Sequence, residues 1–249
     1  MKLEIFLYKI LNEFEKKNIS YCVLRNYESF PKKWLADDID ILINKKDLKL
    51  ITKIIKKYSD IIYYYQRYYL CAFALNNITR PNKNYFKIDF VTKLSWKGLS
   101  YLDCETVFKN KIRYKNKFFI PKKCHETLIT LFASYLVGGW VNKKYQNKIR
   151  NNFIKDNKNI FNALELKFSK HIIHLLSKNI INNNKKKLLK ILNKIKIDLM
   201  LFYIKNNLFL LLNEMAKYAT HEIRIKFSSH LITRIKFIYT KQNFQNKTR

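Results

Sequence analysis

Glycine and proline are scarce: the 249 residues contain three of each. Turns must therefore be made largely by Asn, Asp and Ser, whose side chains bond to their own backbone. Long apolar runs are missing too. A membrane-crossing helix needs about 18 or more consecutive apolar residues, whereas the longest stretches here, Leu199–Ile204 and Leu208–Leu212, are interrupted by Lys and Asn. Four cysteines (Cys22, Cys71, Cys104, Cys124) include no CxxC pair and no regular spacing. With Lys2 and Glu4 opening an amphipathic helix in place of a signal-like start, this usage predicts a reducing, cytoplasmic setting. No internal repeat is evident.

Acids are the other shortage. Against 50 Lys and Arg stand 18 Asp and Glu, a formal charge of +32. That balance favours anionic partners: nucleic acid, nucleotides, anionic lipid or acidic polysaccharide. The lysines are spread along the chain among Asn, Ile, Tyr and Phe. An AT-rich genome imposes the same mixture, so drift and selection both remain open. What is plentiful is apolar material, 48% of residues with 15% aromatic. A sizeable core can be buried, in one large domain or two small ones.

Periodicity divides the chain near residue 122. Leu3, Phe6, Leu7, Ile10, Leu11 and Phe14 recur at helical spacing, predicting a helix over 2–17. A strand follows from Ser20 to Arg25, then an irregular connection through Pro31 and a second strand, Asp38 to Ile43. Lys46–Tyr58 reads as a helix with Asp47 near its start. Ile61–Leu75 is rich in Tyr, Phe and Ile and reads as strands. Turns at Asn76-Asn77 and Arg80–Asn84 precede a strand in Tyr85–Thr92. Leu94–Tyr101 reads as an irregular crossing and Lys111–Ile120 as a short hairpin or extended piece. From Cys124 onward the pattern is helical: 126–137, stopped by Gly138-Gly139, then 143–155, 158–178, 185–195, 197–217, and a basic run from His221 to Tyr239. The predicted architecture is an α/β (α+β) unit over 1–122, with a short mixed sheet, followed by an all-helical domain over 123–249.

The residues that carry chemistry are acids placed where acids are costly. Strand residues alternate faces, so Asp38 and Asp40 point one way and Ile39, Ile41 and Ile43 the other. Two carboxylates on an apolar strand need a cation or donor. Asp89, in the run YFKIDFVT, sits in a similar setting. An Asp-x-Asp strand with a third Asp on another strand supplies the hard oxygen ligands that Mg²⁺ or Mn²⁺ takes in phosphoryl chemistry. For Asp89 a salt bridge with Lys87, on the same face, is the competing reading. Lys87 itself either steadies a phosphate or makes an ordinary ion pair. Asp37 reads as a turn residue. His171 and His174, three apart without a carboxylate or Cys, read as ordinary surface or packing, and His125 as helix capping or surface. Trp34, Trp96 and Trp140 read as core. The Tyr63–Tyr69 cluster suits strand packing as well as stacking on a base or sugar.

Taken together, helix, strand, turn, Asp38-Ile-Asp40 and a lone Asp89 resemble the nucleotidyltransferase superfamily of the polymerase-β type. VLRNYESFP, DDIDILI, KIDFVTKLSWKG, YLD and the later Gly-Gly-Trp are similar to an uncharacterised bacterial nucleotidyltransferase-like family, often found among surface-polysaccharide genes and in some members joined to a P-loop kinase domain. The resemblance spans roughly residues 1–150, and no GxxxxGK[ST] is present. It implies that Asp38 and Asp40 bind catalytic metal and that Asp89 contacts a metal and activates the attacking hydroxyl. One departure stands out. The superfamily places Gly followed by Gly or Ser after the first strand to cradle a triphosphate, and here Leu24-Arg25-Asn26 occupies that place. Arg25 either binds phosphate, as a guanidinium does bidentately, or pairs with Glu28; Tyr27, Glu28 and Lys32 are further candidates for the same pocket.

The resemblance thus implies a Mg²⁺- or Mn²⁺-dependent nucleotidyl- or phosphoryl-transfer enzyme. Its donor would be a nucleoside triphosphate and its acceptor a hydroxyl, of a glycan or lipid-linked glycan in surface-polysaccharide synthesis. The alternatives are a non-catalytic nucleotide- or ion-binding member of the fold and, third, a nucleic-acid-directed transferase, for which no RNA-binding motif is seen. The run SSHLITRIKFIYTKQ has two readings: its Leu231, Ile232, Ile235 and Ile238 face packs on the helical half, or it lies on the inner face of an anionic membrane.

Overall fold

The computed structural model describes every residue except 31–37, 67, 77, 79–84, 140, 142 and 246–249. For Ile62, Tyr63, Tyr65, Val137, Lys144 and 225–245 it describes the backbone alone. The expectations placed on Pro31, Lys32, Trp34, Asp37, Arg80–Asn84 and Trp140 therefore lie outside the described residues, as does the side-chain face of Leu231, Ile232, Ile235 and Ile238.

The chain is an α+β fold with a small mixed sheet and a long helical C-terminal region. Helix α1 (Leu3–Lys16) leads into β1 (Tyr21–Val23) and β2 (Asp38–Ile43). After a 3-10 turn come α2 (Leu48–Lys56), the hairpin β3 (Ile61–Gln66) and β4 (Leu70–Leu75), and β5 (Phe86–Val91). These five strands form one sheet in the order β1-β2-β5-β4-β3. Only the β2–β5 pairing is parallel; β1–β2, β4–β5 and β3–β4 are antiparallel. The first strand is shorter than predicted. The pairing with β2 ends with the Leu24 amide donating to the Asp40 carbonyl at 2.9 Å, and Arg25 and Asn26 lie beyond it.

Alternation then sorts the sheet's two faces. Ile39, Ile41, Ile43, Phe73, Ile88 and Phe90 pack on α1 and α2, a core in which Phe6, Ile10 and Phe14 are wholly buried. Each such side chain contributes roughly 1.5–3 kcal/mol when buried. The opposite face carries Asp38, Asp40, Lys87 and Asp89 at one end. At the other, Leu42, with Cys22 and Leu24, joins a second core built from the helical region.

Leu94–Tyr101, predicted to be an irregular crossing, is a hairpin of β6 (Ser95–Trp96) and β7 (Leu99–Ser100). Its Lys97-Gly98 turn has positive φ at both positions, 47° and 88°, the turn that matches strand twist. Next come α3 (Cys104–Lys109), which the sequence reading missed, and the expected hairpin β8 (Ile112–Tyr114) and β9 (Phe118–Ile120). Helix α4 (Lys123–Phe132) runs into a π-turn, Ala133–Val137, ahead of Gly138-Gly139, and α5 is Lys143–Lys155. The predicted helix 158–178 is two, α6 (Asn157–Glu165) and α7 (Lys170–Ile181). Asp198 takes the Ser169 amide and hydroxyl at 3.0 and 2.8 Å, holding the break open. Residues predicted as helices 185–195 and 197–217 join in α8 (Lys185–Gln245), which bends at Asn207 instead. No described helix is long and apolar enough to cross a membrane.

Candidate active site between the sheet and the helical region

Parallel pairing of β2 with β5 puts Asp40 directly beside Asp89 and Asp38 beside Lys87. Paired residues on adjacent strands share a face at a spacing of about 4.8 Å. Two acids, a cation and a third acid therefore occupy one small square of sheet. On the far side of β5, Ala72 stands opposite Asp89 and Ala74 opposite Lys87, side chains too short to cover the acids.

Each inner carboxylate is met by a cation. The Arg25 Nε donates to Asp40 Oδ2, and the Lys87 Nζ donates to Asp89 Oδ2 at 2.7 Å. Thus Arg25 pairs with Asp40, and Glu28 is taken instead by Lys148 at 2.7 Å. Burial pushes the Asp40 and Asp89 carboxyls above the ordinary carboxylate range; Arg25 and Lys87 offset part of that, and the Asp38 charge adds to it. Asp38, half-buried, acts electrostatically on all four of these groups.

A cavity of about 240 Å³ opens in front of this array. Arg25, Asp40 and Asp89 form one wall, Tyr69, Leu70 and Lys93 the next, and Ser95, Tyr101, Ile129 and Thr130 the side toward the helices. Two polar atoms of its lining, Asp89 Oδ1 and Ser95 Oγ, are buried without a hydrogen-bond partner among the described residues. Such groups cost about 1–3 kcal/mol each when left unpaired, and both belong to residues that line the cavity.

Two features frame the cavity. Asn26 has φ 64°, the left-handed region, and its Oδ1 accepts from the Tyr145 hydroxyl at 2.7 Å. Asn tolerates that conformation better than other residues bearing a Cβ, so the turn after β1 takes a glycine-like step without glycine. In the lining, Lys93 is held by Glu214 of α8, whose Oε2 also accepts from Tyr68 at 2.6 Å.

Of the residues read from sequence, Arg25, Asp40 and Asp89 line the cavity, while Asp38 and Lys87 share their sheet face beside it. Asn26 shapes the turn. Tyr27 is buried against Tyr114 and Phe118 and does not line the cavity. Trp96 lies under Lys97 and Lys196, and His125 is buried rather than at the surface. Lys93, Ser95, Tyr101 and Thr130 were missed. Lys93 and Ser95 follow the Asp89 strand closely in KIDFVTKLS and were within reach; nothing in the sequence marks Thr130.

The donor set suits a divalent cation in chemistry, hard carboxylate oxygens with one unpartnered buried oxygen on Asp89. Among the described residues, however, no three His, Cys, Asp or Glu side chains already stand in a ligating arrangement. Arg25 and Lys87 hold the positions beside Asp40 and Asp89.

No protein-family model and no curated protein matches the chain. Among solved structures, a proposed nucleotidyltransferase from H. pylori is 11% identical, with 81% of this chain and 93% of that one covered and a TM-score of 0.34. JHP933 from Helicobacter pylori is 10% identical, covering 94% of this chain and 96% of that one, again at a TM-score of 0.34. The functional reading therefore rests on the geometry of the site itself.

Proposed function

We propose that the chain is a metal-dependent enzyme that transfers a nucleotidyl or phosphoryl group to a hydroxyl. One observation carries the reading. Asp40 and Asp89 are register neighbours in the lining of a cavity that Arg25 and Lys93 also line. Mg²⁺ or Mn²⁺ would be held by Asp40 and Asp89, with Asp38 next on the same face. When bound it would neutralise phosphate charge and lower the pKa of the attacking hydroxyl.

The chain's own groups do the rest. Arg25 presents a guanidinium at the cavity wall, suited to a phosphate oxygen pair. Lys93, fixed by Glu214, offers a second cation in the lining. Asp89, its carboxyl raised by burial, would be a stronger base toward the acceptor hydroxyl than an exposed aspartate. The cavity is smaller than the roughly 300 Å³ at which pockets for whole small ligands begin, so a nucleotide would insert its phosphates and leave its base outside. Surface-polysaccharide synthesis as the setting, with a glycan or lipid-linked glycan as acceptor, is proposed from the sequence resemblance alone.

A second reading has its own support. Both inner carboxylates already have cationic partners, as a non-catalytic relative of the fold would have. Calorimetric titration of each nucleoside triphosphate, with and without Mg²⁺, separates the two. Transfer predicts Mg²⁺-dependent binding to the wild type, weakened at least about tenfold in Asp40→Asn. If no triphosphate binds under any condition, nucleoside-triphosphate transfer is overturned.

A further inference from the structure

Helix α8 carries an apolar elbow that nothing among the described residues covers. At Asn207 the backbone leaves the helix (φ −166°, ψ 89°), and the Asn207 Oδ1 accepts from the Leu210 amide at 2.8 Å to start a new turn. Around this bend Leu208 is 52% exposed, Phe209 80% and Leu212 59%, while Leu211 alone turns inward. Upstream, Ile197, Leu201 and Ile204 are also exposed, and their spacing of four and three residues puts them on one helix face that runs into the elbow.

The rim of this strip is cationic. Between Lys185 and Lys217 the sequence has eight lysines and two acids. Both acids are engaged: Asp198 accepts from Ser169, and Glu214 from Lys93 and Tyr68. Lys190 and Lys194, both exposed, continue the apolar face toward the start of the helix. An exposed apolar strip of this size marks an interaction surface. A second copy would bring its own lysines against this rim, and like charges repel. Anionic lipid head groups over an acyl layer complement both features at once.

We propose that the face of α8 from Ile197 to Leu212 docks on an anionic membrane surface. Leu208, Phe209 and Leu212 enter the head-group region, and the flanking lysines bind lipid phosphates. The inference does not rest on the proposed transfer activity. It also concerns a segment distinct from the C-terminal run after His221.

The test is co-sedimentation of the full chain with vesicles of phosphatidylcholine alone, or containing about one third phosphatidylglycerol. Binding is expected only to the anionic vesicles and should fall in about 0.5 M NaCl, where screening is short-ranged. The double substitution Phe209→Ser with Leu212→Ser should weaken it at least about tenfold, with an unchanged unfolding midpoint because both side chains are exposed. Wild type left in the supernatant would overturn the proposal, as would equal binding by the variant or equal binding to neutral vesicles. Light scattering adds a last arm: a wild-type dimer that the variant turns monomeric gives this face to a second copy and also overturns it.

Discussion

Ser95 is a test of what an unpaired buried hydroxyl costs the fold. Its hydroxyl is buried and bonded to nothing described, so Ser95→Ala removes an unpaired polar group without breaking a hydrogen bond. The expected result is a fold as stable as wild type or up to about 1 kcal/mol more stable, with turnover reduced. Thermal unfolding and a kinetic assay on the same variant check both halves. Lys167 is a second case. Its Nζ donates to the Ser100 carbonyl at 2.7 Å, and burial, with Lys93 nearby, pulls its pKa from the ordinary lysine value down to about 8, Asp103 notwithstanding. The unfolded chain holds that proton to higher pH than the fold does, so this residue's contribution to stability rises with pH above about 8. In Lys167→Met the gain should be missing. Unfolding midpoints of the two proteins, followed from about pH 7 to 9.5, should reveal a difference that changes with pH in this direction; a constant difference would refute it.

Elements meet at two places where small geometry decides. A Cβ on Gly98 would lie 2.6 Å from the Glu214 carbonyl oxygen, at a φ of 88° that side-chain-bearing residues avoid. Gly98→Ala should therefore cost about 2 kcal/mol or more and loosen the seat of α8 beside Lys93; urea unfolding measures the first effect. The capping bond at the α8 bend makes Asn207→Ala worth about 1 kcal/mol. The same elements show what local pattern can tell. β2 was legible because Asp38-Ile-Asp40-Ile alternates acid with isoleucine, and α1 because Leu3, Phe6, Leu7, Ile10, Leu11 and Phe14 recur at helical spacing. α3 was missed although Asp103 caps Thr106, a bond the Asp-x-x-Thr spacing permits. The break between α6 and α7 depends on Asp198, 29 residues further on, so no local window contains its cause. Within the site, the alternation of Asp38 and Asp40 was visible, but their neighbour Asp89 and the pairing of Arg25 with Asp40 arise from contacts between distant segments. Of the two readings of Arg25, the pair with nearby Glu28 is not formed: Arg25 meets Asp40, and Glu28 meets Lys148 of α5.

At the scale of the molecule, two apolar cores share one sheet. The larger reaches from the helices back to Cys22, Leu24 and Leu42, and Phe132 stands at its centre, wholly buried against Tyr101 and Phe168. Phe132→Ala should cost about 3–5 kcal/mol and also open the cavity's helical wall, which Ile129, Thr130 and Ala133 of the same segment form. Chemical unfolding and ligand titration together would show whether the two effects travel together.

The strand order has a consequence for how the protein is made. β5 is inserted between β2 and β4, so β2 has an unpaired edge until the chain has been synthesised through Val91. An emerging N-terminal hairpin of β1 and β2 would wait through α2, β3 and β4 with an apolar, hydrogen-bond-hungry flank exposed. The late strand then closes that flank and brings Asp89 against Asp40 in a single event. Birth of the site and loss of the most adhesive surface of the nascent chain are one and the same step.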